Sequence, residues 1–276
     1  MRKLVLGLAS VVAFAVAASA QTSPPAPAAA APAAAAPAAT PAPAATVPAP
    51  AAAAPAPVAA AAATPVSDTT PYYVNIVDLQ ISPSSMTKFM GDLSDDVKGT
   101  LAEAGVHEID SNVGQQDPNH IFIFEVYNNS AAWDSHQKTT TYVKFVGLTM
   151  MMIKNYNVRP FSSLAMNSSG APPAADPLYV NVEEFDLASS QYNDFVKEAT
   201  AEAAAAVKDP GVREFNIATS TSTPYHILFF EVYDNAAAHD AEMATDRYKT
   251  YESTAKSMIK KSTATPYSSV SLNTKP

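Results

Sequence analysis

The feature that most constrains this chain is a stretch written twice. Ile121-Phe-Ile-Phe-Glu-Val-Tyr-Asn-Asn-Ser-Ala-Ala-Trp-Asp-Ser-His136 returns as Ile227-Leu-Phe-Phe-Glu-Val-Tyr-Asp-Asn-Ala-Ala-Ala-His-Asp-Ala-Glu242, displaced by 106 residues. The offset runs without a gap from the pair 71/177 to the pair 165/271, with 28 identities in 95 pairs. A unit of that length can close a core of its own, so the period marks a duplicated domain rather than a solenoid. In each copy an apolar run of strand type stops at Asn-Asn or Asp-Asn, side chains that cap a helix by accepting its orphan N–H bonds. Alanines, the best helix formers, follow at once. Each copy therefore reads strand, cap, helix.

The rest of repeat one, 71–167, extends that order. Tyr73 to Ile81 alternates and is rich in β-branched residues, which predicts a strand. Ser82-Pro-Ser-Ser85 opens a helix in which Met86, Phe89, Met90, Leu93, Val97 and Leu101 recur at three- and four-residue steps, and Gly105 ends it. A second strand over about 106–113, a turn and a third strand over 120–127 follow. The sequence then predicts one long helix over 129–154 and a fourth strand over 159–166. Repeat two, 177–273, keeps the order after a short linker, 168–176. Strand–helix–strand–strand–helix–strand is the split-βαβ, ferredoxin-like arrangement, an α+β fold with helices on one sheet face. The other face needs cover, and the second repeat supplies it. The expected fold is a pair of tandem ferredoxin-like repeats forming an intramolecular dimeric α/β barrel, monomeric as a chain.

Met1-Arg2-Lys3, the apolar run from Leu4 to Ala17 and the small-x-small Ala18-Ser19-Ala20 predict an export signal cleaved after Ala20, to periplasm or medium. Residues 21–70 are almost wholly Ala, Pro, Thr and Ser, a composition that builds no core and reads as a disordered spacer. The net charge of −9 is spread over both repeats, and no basic patch suggests nucleic acid as a partner. With no Cys anywhere, disulfides, thiol nucleophiles and thiolate metal sites are excluded.

Phe124-Glu-Val-Tyr127, Asn129, Ala132, His136, Thr139 and Tyr142, with Phe230-Glu-Val-Tyr233, Asn235, Ala238 and Tyr248, resemble the antibiotic biosynthesis monooxygenase family, which includes quinol monooxygenases. His136 and Tyr142 fit the family's spacing of a His and a second His or Tyr six residues on; in repeat two Glu242 replaces the His. The resemblance implies oxidation of a small aromatic or quinol compound by O₂ with no metal, flavin or other cofactor. It implies an apolar pocket with a few polar groups to hold a phenolate and move protons. A haem-degrading branch shares the fold, but it carries Trp at the His136 position and an axial His where this chain has Val146, and repeat two has Glu242 and Glu252 at those two places, so haem is not expected.

On this reading the catalytic candidates are His136, Tyr142 and Asn75, and the substrate-binding candidates are Trp133, Tyr127 and Phe124. No metal is expected, since His120, Glu125 and His136 match no ligand spacing. Glu125 and Glu231 are expected to hydrogen-bond across the repeat interface, His136 to sit partly exposed on its helix, and Met150-Met-Met152 to be core. Two functions follow. One is an exported cofactor-independent monooxygenase with its site in repeat one. The other is a non-catalytic ligand-binding or scaffolding module on the same barrel, which a filled interior would favour.

Overall fold

The computed structural model describes residues 71–171 and 177–273; the expected signal and the Ala/Pro stretch lie outside them. Repeat one contains β1 (Tyr73–Ile81), α1 (Met86–Leu101), β2 (Val106–Gly114), β3 (His120–Tyr127), α2 (Ser130–His136), α3 (Thr140–Thr149) and β4 (Ile153–Ala165). Repeat two contains β5 (Tyr179–Leu187), α4 (Tyr192–Ala206), β6 (Val212–Ser220), β7 (His226–Tyr233), α5 (Ala236–Met243), α6 (Asp246–Ala255) and β8 (Ile259–Ser271).

The single helix expected over 129–154 is two helices. Asn129 caps the first, its side chain accepting from the Ala132 N–H at 3.0 Å, and Thr139 caps the second, accepting from the Tyr142 N–H at 3.2 Å. Thr139 is extended, so the axis turns there. The second helix then stops at Thr149, and β4 begins six residues before the expected start. Met150 and Met151 fall in the turn between them, and Met151 is 93% exposed rather than core. Gly105 and Gly211 hold positive φ where α1 and α4 turn into the next strands. A Cβ there would lie 2.9 and 2.7 Å from Ala132 and Ala238, so these glycines also set how closely the first capped helix approaches.

All eight strands close into one antiparallel barrel in the order β1-β3-β2-β8-β5-β7-β6-β4. Each repeat contributes four neighbouring strands, and the seams are β2 with β8 and β4 with β6. The long strands β4 and β8 pair with their own β1 and β5 and then shift register to reach the other repeat. Closure leaves neither sheet an open edge. Side chains alternate across the wall. Val74, Ile76, Phe122, Phe124 and Val126 point into the lumen with Val180, Val182, Leu228, Phe230 and Val232, filling it. Phe124 and Phe230, equivalent in the two repeats, stack at 4.3 Å, a contact worth roughly 0.5–1.5 kcal/mol beyond its buried area. Tyr73, Val77, Leu79, Ile123 and Tyr127 point outward, beneath α1, α2 and α3.

The two ends of the lumen are polar and opposite in kind. At one, Arg159 lies between the equivalent acids Asp78 (2.9 Å) and Glu184 (2.7 Å), with His120 on Asp78 and His226 on Glu184. These half-buried histidines open β3 and β7. Burial would raise Glu184, but His226 and Arg159 outweigh it and hold the carboxyl down at about 2. At the other end Glu108, Asp110 and Glu214 converge, with Asn216 donating to both glutamates at 3.4 Å. Burial, then mutual repulsion, raises Glu108 well above the usual range and Glu214 to about 8. Each repeat's tail crosses here. The Asn273 N–H donates to Asp110 at 2.8 Å, and the equivalent Asn167 N–H donates to Asn216 at 3.0 Å.

Two outcomes are expected. A chain ending at Asn167 would expose the lumen face of repeat one and should self-associate or aggregate; a soluble, folded monomer on sedimentation would contradict this. Glu108 and Glu214 both carry raised folded pKa values, so their contribution to stability is full below about pH 4.5, and that of Glu214 is lost as pH rises through about 8. Glu214→Gln should therefore raise unfolding free energy at pH 8 by about 1–3 kcal/mol and much less at pH 5, measured by urea titration.

Candidate active site

Between the outer face of repeat one's sheet and its helices lies a cluster of polar and aromatic groups. Asn75 on β1 and Glu125 on β3 are directly paired residues, and the Asn75 amide donates to Glu125 Oε2 at 2.8 Å. The Tyr127 hydroxyl, two residues along the same strand face, donates to the same oxygen at 3.3 Å. This bond set lies inside one repeat, not across the interface. Strand alternation places all three side chains under the helices.

From the helices come Trp133 and His136 on α2 and Tyr142 on α3. Their rings meet each other and Tyr127: His136 lies 4.8 Å from Tyr142, 5.5 Å from Trp133 and 5.8 Å from Tyr127. The break at residues 137–139 swings Tyr142 onto the imidazole. His136 is only 2% exposed, so it is not a partly exposed helix residue. Its Nδ1 lies 3.1 Å from Glu103 at the end of α1. Burial lowers the His136 pKa, with Glu103 opposing. Near neutrality the ring is uncharged, its Nδ1–H donating to Glu103 and its Nε2 left as an acceptor.

Five of the six candidate residues are thus brought together: Asn75, Tyr127, Trp133, His136 and Tyr142. Phe124 is not. One position from Glu125 on β3, it faces the lumen and stacks on Phe230, so it cannot share a ligand with the others. His120 also faces the lumen, so His120, Glu125 and His136 do not assemble. Among the described residues, Glu108, Asp110 and Glu214 are the group whose oxygens lie within 4.8 Å of one another, a spacing that would admit a hard cation.

One residue of the cluster was assigned another role by the sequence reading and one had none. Glu125, expected at the repeat interface, is buried, and burial raises its carboxyl to about 7, against the bonds from Asn75 and Tyr127. Asp96 of α1 is raised to about 7 by burial and by Glu103. The signal for Asp96 was present: it sits on the helix face carrying Leu93, Val97 and Thr100.

Repeat two repeats the frame with different chemistry. Asn181 donates to Glu231 at 2.8 Å and Tyr233 donates to Glu231 at 3.4 Å, as in repeat one. His239 replaces Trp133 and Glu242 replaces His136. Arg247, where repeat one has Thr141, binds Glu242, Glu202 and Asp209 at 2.7–2.8 Å.

A family model for antibiotic biosynthesis monooxygenases matches residues 72–148 and again 178–253, more than half the chain. The chain belongs to this family. Solved structures share the fold: a candidate monooxygenase of Lactobacillus acidophilus NCFM at 20% identity and TM-score 0.68, over 74% of this chain and 96% of that one. A second, from Fusobacterium nucleatum, gives 17% and 0.69 over 76% and 96%. An anthrone oxidase-like protein gives 10% and 0.55 over 75% and 94%. A comparison with curated proteins finds no match. The family supports a general monooxygenase-like role.

His136→Ala removes a buried ring together with its hydrogen bond to Glu103. A loss of about 1–3 kcal/mol in urea unfolding at pH 7 is expected, against about 0.5 kcal/mol or less for Tyr142→Phe, which keeps its ring contacts.

Proposed function

We propose that this protein is an exported, cofactor-independent monooxygenase that oxidises a small aromatic or quinol compound with O₂ in repeat one. The observation that carries the reading is Glu125: a buried carboxyl at about 7, held by Asn75 and Tyr127 and walled by Trp133, His136 and Tyr142. A phenol reacts with O₂ as its electron-rich anion, so the protein's task is to take a proton and exclude water. Glu125 takes that proton. Asn75, whose amide donor is spent on Glu125, offers its oxygen to a substrate hydroxyl. His136, fixed by Glu103, and Tyr142 manage the proton that follows, and Trp133 forms part of the apolar wall. The overall change balances as quinol plus O₂ to hydroxyquinone plus water: one oxygen atom enters the ring, the other leaves as water, and the substrate supplies all four electrons. Export rests on the sequence of residues 1–20.

One observation favours the alternative, a non-catalytic ligand-binding module. Tyr127, Trp133, His136 and Tyr142 touch ring to ring, so a ligand enters only if a half-buried ring, Trp133 or Tyr142, moves aside.

Oxygen uptake by the full chain, screened over hydroquinones and polyphenols, separates the two. As an oxygenase, Glu125→Gln should lower kcat/KM by about 10²–10⁴-fold, while Glu231→Gln in repeat two should change it little. Because the carboxylate is the active form, kcat/KM should rise with pH and level off above about 7. No uptake with any substrate, together with a ligand-dependent change in the fluorescence of Trp133, the sole Trp, would establish the binding module instead.

A further inference from the structure

The duplication allows one buried helix position to be compared with itself in two settings. Asp96 of α1 and Glu202 of α4 are equivalent, and each puts an acid on the face its helix turns to the sheet. In repeat two that acid is closed. Arg247 Nε donates to Glu202 at 2.7 Å, and the same guanidinium holds Glu242 and Asp209. In repeat one the guanidinium is absent, because position 141 is Thr, whose methyl lies against Gly99. Asp96 Oδ1 is consequently buried with no hydrogen-bond partner. Asn75 Oδ1, on a residue that is 0% exposed, is a second acceptor of this kind in the same interior. The Asp96 charge is felt at Glu125, Tyr127 and Tyr142, which places it on the cluster described above.

An unpaired buried acceptor costs free energy that water would otherwise recover, and these two sit beside a third acceptor, Glu125. One N–H of the Asn75 amide and the Tyr127 hydroxyl are directed to Glu125. Asp96 Oδ1 and Asn75 Oδ1 are therefore acceptors left open to a ligand hydroxyl. We propose that Asp96 and Asn75 form a specificity-determining acceptor pair that receives the hydroxyl groups of the bound aromatic, so that repeat one selects the hydroxylated, reduced compound over its ether or its quinone. Repeat two, with the matching acid closed by Arg247, makes no such selection. The proposal rests on the reading of repeat one as a site for an aromatic ligand, and it adds the residue that sets which aromatic enters. It also gives a direction to turnover. A hydroxyl given to Asp96 becomes, once oxidised, a carbonyl with nothing to donate. The two acceptors then repel the product.

The test is binding without turnover. Under argon, the full chain is titrated calorimetrically with methylhydroquinone and with its dimethyl ether, 1,4-dimethoxy-2-methylbenzene, and oxygen uptake is measured separately in air. The hydroquinone is expected to bind at least about tenfold more tightly than the ether, the difference made by one or two hydrogen bonds to buried acceptors. Asp96→Asn, similar in shape but supplying a donor, should reduce that preference to about threefold or less. Thr141→Arg, which installs repeat two's guanidinium, should do the same. Thermal unfolding checks that each variant is folded, and Asp96→Asn suffices if Thr141→Arg is not. Equal binding of ether and hydroquinone with oxygen uptake retained would overturn the acceptor pair and leave the oxygenase standing. An unchanged preference in folded Asp96→Asn would likewise remove Asp96. Binding of neither probe, with no uptake, would overturn this inference together with the reading it rests on.

Discussion

The structure depends on a lumen that neither repeat can build alone. Each half presents a sheet with one face under helices and one face bare, and the bare faces carry Phe122, Phe124, Phe230 and the Val and Leu residues between them. Apolar area of that size is stable only out of water. The seams β2–β8 and β4–β6 close the wall around it, and the crossed tails at Asn167 and Asn273 tie each repeat to the other. Because lumen side chains are committed to this packing, chemistry is displaced to the outer faces under the helices. Two such interiors result, with one backbone frame and separate side chains.

That separation is what lets the repeats differ. Both keep the Asn–Glu–Tyr set on the sheet, since it is built by strand register alone: Asn75 opposite Glu125, Asn181 opposite Glu231. They differ in how the helix acids are neutralised. Repeat two uses Arg247 as a permanent cation among Glu202, Asp209 and Glu242. Repeat one uses an uncharged histidine on Glu103 and leaves Asp96 without a cation. One interior is organised around a guanidinium and the other around an imidazole. Duplication with one copy holding the shell is a direct physical route to that difference.

Much of this was legible in the residues. The 106-residue offset carried the fold, since a gapless repeat with strand-type runs fixes both the element order and the need for a second sheet. Strand parity carried Asn75 and Tyr127 to the helix side of the sheet, where Trp133, His136 and Tyr142 meet them from α2 and α3. Phe124 failed because a motif ignores parity: adjacent strand residues face opposite sides, and Glu125 and Tyr127 had already taken the helix side. The burial of His136 was missed because α2 and α3 read as one helix. The Thr139 cap turns the chain and folds Tyr142 over the imidazole, a tertiary event with no periodic signal. Glu125 was seen but misassigned, because its partner Asn75 is 50 residues away and register alone joins them.

The buried acids set two demands that pull in opposite directions with pH. Glu125 accepts a proton only in its ionised form, present above about 7, and Asp96 likewise accepts most strongly when charged. Glu108 and Glu214 at the barrel's end, and Glu231 in repeat two, are held by burial in the protonated form, so each favours the folded chain less as pH rises. The same desolvation that brings Glu125 into the neutral range therefore weakens the barrel over the pH range in which Glu125 ionises. At the Arg159 end Glu184 is held ionised down to about 2, while Glu184 and Asp186 raise His226, whose contribution is also lost as pH rises through its folded pKa. If Glu125 is the proposed base, activity and stability overlap in a window around neutrality, its lower edge set by Glu125 and its upper edge by the carboxyls that join the two repeats.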